Sequence, residues 1–228
     1  MPVSERGVFL TFEGIEGSGK TTQAARLAEA LRSAGRTVTL IREPGGTVLA
    51  EAVRHLLLAP GGDPPEPLAE AFLFQAARAD LVAKVIEPAL AAGGVVLADR
   101  YADASVAYQG LARGLGRERI EQLNVLATGG RMPDRTYLMD LAVETSLARV
   151  HARAAGQATA DPAVSAAGGA MSRLDAEPAA FHQRVRAAYL ELAAVHPGRI
   201  RVWDATQSPD ALAAGLWHDV QDLMIASH

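Results

Sequence analysis

The chain has no cysteine, which excludes disulfides and thiolate metal sites and makes a reducing cytoplasm the expected compartment. Lysine is almost missing as well. Only Lys20 and Lys84 occur among 22 basic residues, and the rest are arginines. In a chain this rich in Ala, Gly and Arg, dispensable lysines tend to be lost, so each retained one merits attention. No apolar run approaches the ~18 residues that span a bilayer, and the polar stretch before Val8 has no signal-peptide core. The net charge of −4 argues against a broad nucleic-acid surface. The six histidines stand in no metal-ligand spacing.

Strand-like and helix-like patterns alternate along the chain. Val8–Phe12 is an apolar, β-rich run that stops at a glycine-rich turn, and a helical pattern follows from Lys20 to Ser33. Strands are further expected at Thr37–Ile41, Val95–Ala98, Arg135–Met139 and Ile200–Trp203. Helices are expected at Thr47–Leu58, Pro67–Ala92, Ala102–Leu111, Arg117–Thr128, Val143–Ala154 and Pro209–Met224. This order predicts one α/β domain over residues 1–228, of the P-loop NTPase type. Its five-stranded parallel sheet carries helices on both faces. Ligands of such sheets sit beyond the carboxyl ends of the strands. Glu13–Thr22, Arg42–Gly46, Asp99–Arg100, Asp140 and Asp204–Gln207 should therefore border one crevice.

The sharpest motif is Gly14-Ile-Glu-Gly-Ser-Gly-Lys-Thr21, which fits G-x-x-x-x-G-K-[ST] between a strand and a helix. Gly14, Gly17 and Gly19 let the backbone aim N–H groups at an anion, and the helix adds its positive end. The loop Gly14, Ile15, Glu16, Gly17, Ser18, Gly19, Lys20, Thr21 and Thr22 is thus the candidate ATP cradle. Lys20 is placed at the β- and γ-phosphates and Thr21 at Mg²⁺. A regulatory GTPase would need Asn-Lys-x-Asp, and the chain has none. Its small size favours a kinase of a small molecule over a motor or transporter ATPase. A P-loop kinase of another nucleoside or nucleotide and an ATP-binding regulator without turnover stay as alternatives; Asp99-Arg100 favours a kinase, since a second phosphate site implies an acceptor.

Read with the P-loop, Arg42-Glu-Pro-Gly-Gly-Thr47, Phe74-Gln-Ala-Ala-Arg78, Asp99-Arg-Tyr101 and Ala107-Tyr-Gln-Gly110 resemble the thymidylate kinases in order and spacing, from about Val8 onward. The resemblance implies Mg²⁺-dependent transfer of the γ-phosphoryl group of ATP to dTMP, in a homodimer, for dTTP synthesis. It also implies an acceptor site of Glu16, Arg42, Phe74, Arg78, Arg100, Ser105, Tyr108 and Gln109. Arg42 and Arg100 would clamp the monophosphate. Phe74 and Arg78, one turn apart on a helix, would stack on and read the base. Ser105, Tyr108 and Gln109 would surround thymine and deoxyribose, with Tyr108 refusing a 2′-hydroxyl. Asp99 joins Thr21 as a metal candidate. Glu16 would accept from the acceptor's 3′-hydroxyl or help organise Mg²⁺, whereas Glu13 is expected to be a structural partner.

Phosphoryl transfer needs positioning and charge neutralisation, and a last cation must complete the cage. The P-loop interior offers no arginine, so a mobile lid over 149–173 is expected to supply one. Arg153 is the catalytic choice beside Lys20 and Arg100, while Arg149 is assigned to ATP and Arg173 lies close by. The lid departs from the family in its Ala/Gly-rich expansion over 154–170 and in Ser172, where an aspartate is common.

Overall fold

Val8–Glu13 (β1) is buried at every position, which a strand achieves only when both sheet faces are covered. The computed structural model of the protein describes residues 7–60, 63–156 and 172–226. Residues 157–171, most of the expected lid, lie outside the described residues. After β1 come Lys20–Ser33 (α1), Val38–Arg42 (β2), Val48–Leu58 (α2), Pro67–Leu81 (α3), Glu87–Ala91 (α4), Val95–Asp99 (β3) and Ala102–Ser105 (α5). Arg117–Thr128 (α6), Arg135–Asp140 (β4), Val143–Ala154 (α7), Ala179–Val195 (α8), Ile200–Asp204 (β5) and Pro209–Ala226 (α9) complete the order.

The sheet is wholly parallel, in the order β2-β3-β1-β4-β5. Burial follows that order. The interior strands β3 and β4 are buried at all but their last residue, whereas edge strands β2 and β5 are half exposed. Side chains alternate between faces along β1. Val8, Leu10 and Phe12 pack with α1 and α9, and Phe9 packs with Leu81, Ile86 and Tyr101. A third cluster joins Leu138 of β4 to Val106, Phe181, Val185 and Leu192. Register brings the strand ends level: Arg42 and Phe12 both pair with Asp99, and Asp140 pairs with Asp204.

Three local expectations need correction. The single helix expected over Pro67–Ala92 is interrupted by a π-helical turn at Val82–Ile86. Pro88 follows two residues later; a proline that cannot donate and crowds the carbonyl four residues back relaxes the ladder just ahead of it. The helix expected over Ala102–Leu111 is one α-turn continued by π-helical Val106–Ala112, a wide turn that recurs at functional sites. Helix α8 was not anticipated, although Phe181, Val185, Ala188, Tyr189 and Leu192 repeat at helical spacing and are all buried. No described helix is long and apolar enough to cross a membrane.

Candidate active site

The P-loop's shape follows from its glycines. A Cβ on Gly14 (φ 133°) would meet the Met139 carbonyl oxygen at 2.5 Å, and one on Gly17 (φ 71°) the Ser146 carbonyl oxygen at 2.7 Å. The left-handed Gly19 then opens α1, which has no side-chain cap and no acid in its first turn, so its positive end stays unneutralised at the strand ends. Ile15 is buried in the core and takes part through its carbonyl, which accepts from Lys20 Nζ at 2.8 Å. Ser18 and Lys20 are buried, while Thr21 is exposed and donates to Asp99 Oδ2 at 2.5 Å. Asp99 and Arg100 therefore do not pair with one another: Asp99 turns to the P-loop hydroxyl and Arg100 to Glu16.

Arg100 has a left-handed backbone, φ 74°, rare outside glycine. Its backbone N–H donates to Phe12 O at 3.0 Å, which fixes the turn. Its guanidinium donates to Gly14 O, Tyr189 Oη and Tyr108 Oη, each at 3.1 Å, and pairs with Glu16. The Tyr108 ring lies 5.0 Å from the guanidinium carbon. Behind it, fully buried Glu13 accepts from Tyr101 N and Tyr189 Oη, both at 2.7 Å. Glu13 is thus the structural partner expected of it. Burial pushes its carboxyl up to about 7 against the opposing pull of Arg100.

Charge organises this cluster. Burial opposes ionisation of Glu16, but Arg100 and then Lys20 outweigh it and hold the carboxyl at about 2. Burial, reinforced by like-charged Arg100, pushes Lys20 below the ordinary lysine range. Burial also works against Arg100, and Glu16 reverses that effect, keeping its pKa well above the ordinary value. Arg153 adds to the depression of Glu16, which puts its charge on the same site.

A cleft of about 1260 Å³ runs along these strand ends, and the P-loop from Glu16 onward, Arg42, Phe74, Arg78, Asp99, Arg100, Ser105, Tyr108, Gln109, Arg149 and Arg153 all line it. Gly14 and Ile15 do not line it, Ile15 because its side chain is buried in the core, and Asp140 is turned away to Arg186. The other residues assigned to the site from the sequence share this cavity, but their freedom differs. Arg78 is 1% exposed and bound to Glu43 at 2.8 Å, Ser105 Oγ at 3.0 Å and Asn124 Oδ1 at 2.9 Å. Arg42 is half exposed and pairs with Glu51 at 3.2 Å. Arg149 bridges Gly17 O and Ala205 O. Arg173, one of the arginines near the lid, is engaged elsewhere: it donates to Leu57 O at 3.0 Å and pairs with Glu70. The Glu43–Pro44 bond is cis, and Pro44 O accepts from Arg54 at 2.9 Å.

Thr21 and Asp99 fit a hard cation. Two oxygen donors already touch, and Mg²⁺ takes few protein ligands beside water and phosphate oxygens. Among the described residues no cluster of three His, Cys, Asp or Glu could hold a metal alone. Sequence reasoning missed Tyr189 and Glu70, and also Arg54 and Asp175, which line the cleft. Tyr189 came with the unanticipated α8. Glu70 stands one and two helical turns before Phe74 and Arg78, a spacing that could have found it.

A glycine-rich phosphate loop, a metal-competent Thr–Asp pair and a second arginine-lined site at the ends of a parallel sheet define a P-loop kinase of a small phosphorylated acceptor. A family model described as thymidylate kinase matches residues 12–214. The thymidylate kinase of Solidesulfovibrio magneticus is 48% identical over 95% of this chain and 100% of its own length. That of Trichlorobacter lovleyi is 46% identical over 92% of this chain and 94% of its own. A solved thymidylate kinase from Ehrlichia chaffeensis superposes with a TM-score of 0.71 at 30% identity, over 94% of this chain and 99% of that one. The chain belongs to the thymidylate kinase family, enzymes that phosphorylate dTMP to dTDP with ATP.

The depressed pKa of Glu16 sets a pH dependence. The unfolded carboxyl takes up its proton near 4.5 and the folded one near 2, so between these values the unfolded chain binds more protons and stability rises with pH. Wild type should therefore lose stability relative to Glu16→Gln as pH falls from 4.5 toward 2, measured by urea unfolding across that range. A stability difference independent of pH would contradict the charge assignment.

Proposed function

We propose that transfer of the γ-phosphoryl group of ATP to dTMP, giving ADP and dTDP, is carried out by Lys20, Arg100 and Arg153 acting from three sides of the migrating group. The convergence of the P-loop, the Glu16–Arg100 pair and the Phe74–Arg78–Gln109 pocket on one cleft carries this reading. ATP lies along Gly14–Thr22, with Arg149 and the Asp204–Gln207 loop beside the rest of the nucleotide. dTMP takes the opposite half. Arg42 and Arg100 hold its phosphate, Phe74 stacks on the base, Arg78, Ser105 and Gln109 surround the base edge, and Tyr108 closes on the sugar. Glu16 accepts from the 3′-hydroxyl while orienting Arg100.

The acceptor phosphate is already ionised at neutral pH, so no strong base is needed. What the residues contribute is alignment of two anions that repel each other and charge matched to the transition state. Buried Lys20 and partly buried Arg100 supply that charge in a site that screens it little. Thr21 and Asp99 would hold Mg²⁺, which supplies neutralisation of the β- and γ-phosphate oxygens when bound.

The chain works as one kinase domain, its lid spanning about 149–173, in the cytoplasm. A homodimer is supported by the apolar residues that α2 and α3 leave exposed: Val48, Leu49, Leu56, Leu68 and Phe72. Apolar side chains left exposed on two packed helices are the kind of surface that a partner covers. Sedimentation velocity should show one species of twice the chain mass, and a monomer at micromolar concentration would refute the dimer.

Coupled ADP release over dTMP, dUMP, dCMP, dGMP and thymidine tests the assignment. dTMP should be the preferred acceptor, and Arg153→Ala should lower kcat by about a hundredfold or more with little change in ATP affinity. A kcat within about threefold of wild type would move the third cation to another residue, and stronger turnover on a different acceptor would remove the thymine pocket.

A further inference from the structure

Glu70 lies behind the base pocket. It is 1% exposed and occupies α3 four residues before Phe74 and eight before Arg78, on the same helical face. Gln109 Nε2 donates to its Oε1 at 2.8 Å, Arg113 Nε approaches the same oxygen at 3.5 Å, and Arg173 pairs with Oε2. A buried carboxylate between two guanidiniums is an expensive arrangement, and a purely structural role would not require the third contact, to Gln109.

That contact has a chemical consequence. A carboxylate only accepts, so the Gln109 amide has one permitted orientation, with its NH₂ toward Glu70. Gln109 itself lines the cleft, and with its NH₂ turned to Glu70 the amide presents its carbonyl oxygen, only an acceptor, on the opposite side. Thymine and uracil carry an N–H at ring position 3. Cytosine carries a bare nitrogen acceptor there, flanked by an amino group.

We propose that Glu70 determines base specificity: by fixing the Gln109 amide it presents an acceptor to the ring N–H of thymine and an unpaired clash of acceptors to cytosine. The inference rests on the reading of Gln109 as part of the base pocket. Glu70 touches no substrate and is a positioning residue. Because uracil has the same ring N–H, this contact separates dTMP from dCMP and leaves dUMP to be judged elsewhere.

The test is kcat/KM of Glu70→Gln on dTMP, dUMP and dCMP. The new amide can donate or accept, so Gln109 is free to turn. The dTMP/dCMP ratio should fall by about tenfold or more, while the dTMP/dUMP ratio stays within about threefold of wild type. Equal losses on all three acceptors, as a merely structural residue would give, or an unchanged dTMP/dCMP ratio overturn the proposal. If that variant does not fold, Glu70→Asp keeps a charge opposite both arginines but falls short of Gln109. The same selective fall is then expected, and an unchanged ratio again overturns it. Gln109→Met separates the two levels. Unchanged dTMP kinetics there would refute Gln109 as a base contact, whereas a loss there with an intact ratio in the Glu70 variants would refute the orientation alone.

Discussion

The site depends on keeping Arg100 charged, largely withdrawn from water and aimed. Two cations, Lys20 and Arg100, sit in one poorly hydrated cluster, an arrangement that would cost several kcal/mol per ion without partners. Glu16 and Glu13 supply the compensation at different depths: Glu16 pairs with Arg100 directly, and Glu13 orients Tyr189, which accepts from Arg100. The left-handed backbone at Arg100 adds roughly 1–3 kcal/mol of strain. It persists because the Phe12 carbonyl, Tyr108, Tyr189 and the Gly14 carbonyl together determine the geometry. A guanidinium locked in this way is preorganised, so an anion that engaged it would cost little further ordering.

The fold serves that constraint. Parallel strands end level, so Glu13, Arg42, Asp99 and Asp140 reach the same edge without long loops. The P-loop delivers Lys20 from below, and the π-helical Val106–Ala112 delivers Tyr108 and Gln109 from the far wall. Helix α8 packs through Phe181, Val185 and Leu192 and thereby carries Tyr189 to the centre. Packing and electrostatics meet in that residue: its ring lies 6.3 Å from that of Tyr108, and its hydroxyl joins Glu13 to Arg100.

Legibility in the sequence followed how local each requirement was. The P-loop was readable because its glycines answer to backbone geometry within eight residues. Arg42, Asp99 and Arg100 were readable because they follow apolar runs that had to be strands. The sheet and its edges followed from alternation. What resisted reading was tertiary. Tyr189 touches Arg100 across 89 residues, and no local pattern joins them. Glu70 shares a helical face with Phe74 and Arg78, but its partners Gln109, Arg113 and Arg173 come from distant segments. Arg173 had the sequence context of a lid arginine, yet Leu57 O and Glu70 hold it.

The central claim is that the geometry of Arg100, beyond its charge, serves the acceptor phosphate, and Arg100→Lys tests it most directly. The substitution keeps a cation but removes the planar fork. Steady-state kinetics should show kcat/KM for dTMP lowered about a hundredfold or more, with KM for ATP within about threefold of wild type and cooperative unfolding retained. A folded variant with wild-type kcat/KM for dTMP would contradict the account, because a point charge would then suffice where the structure holds a fixed fork.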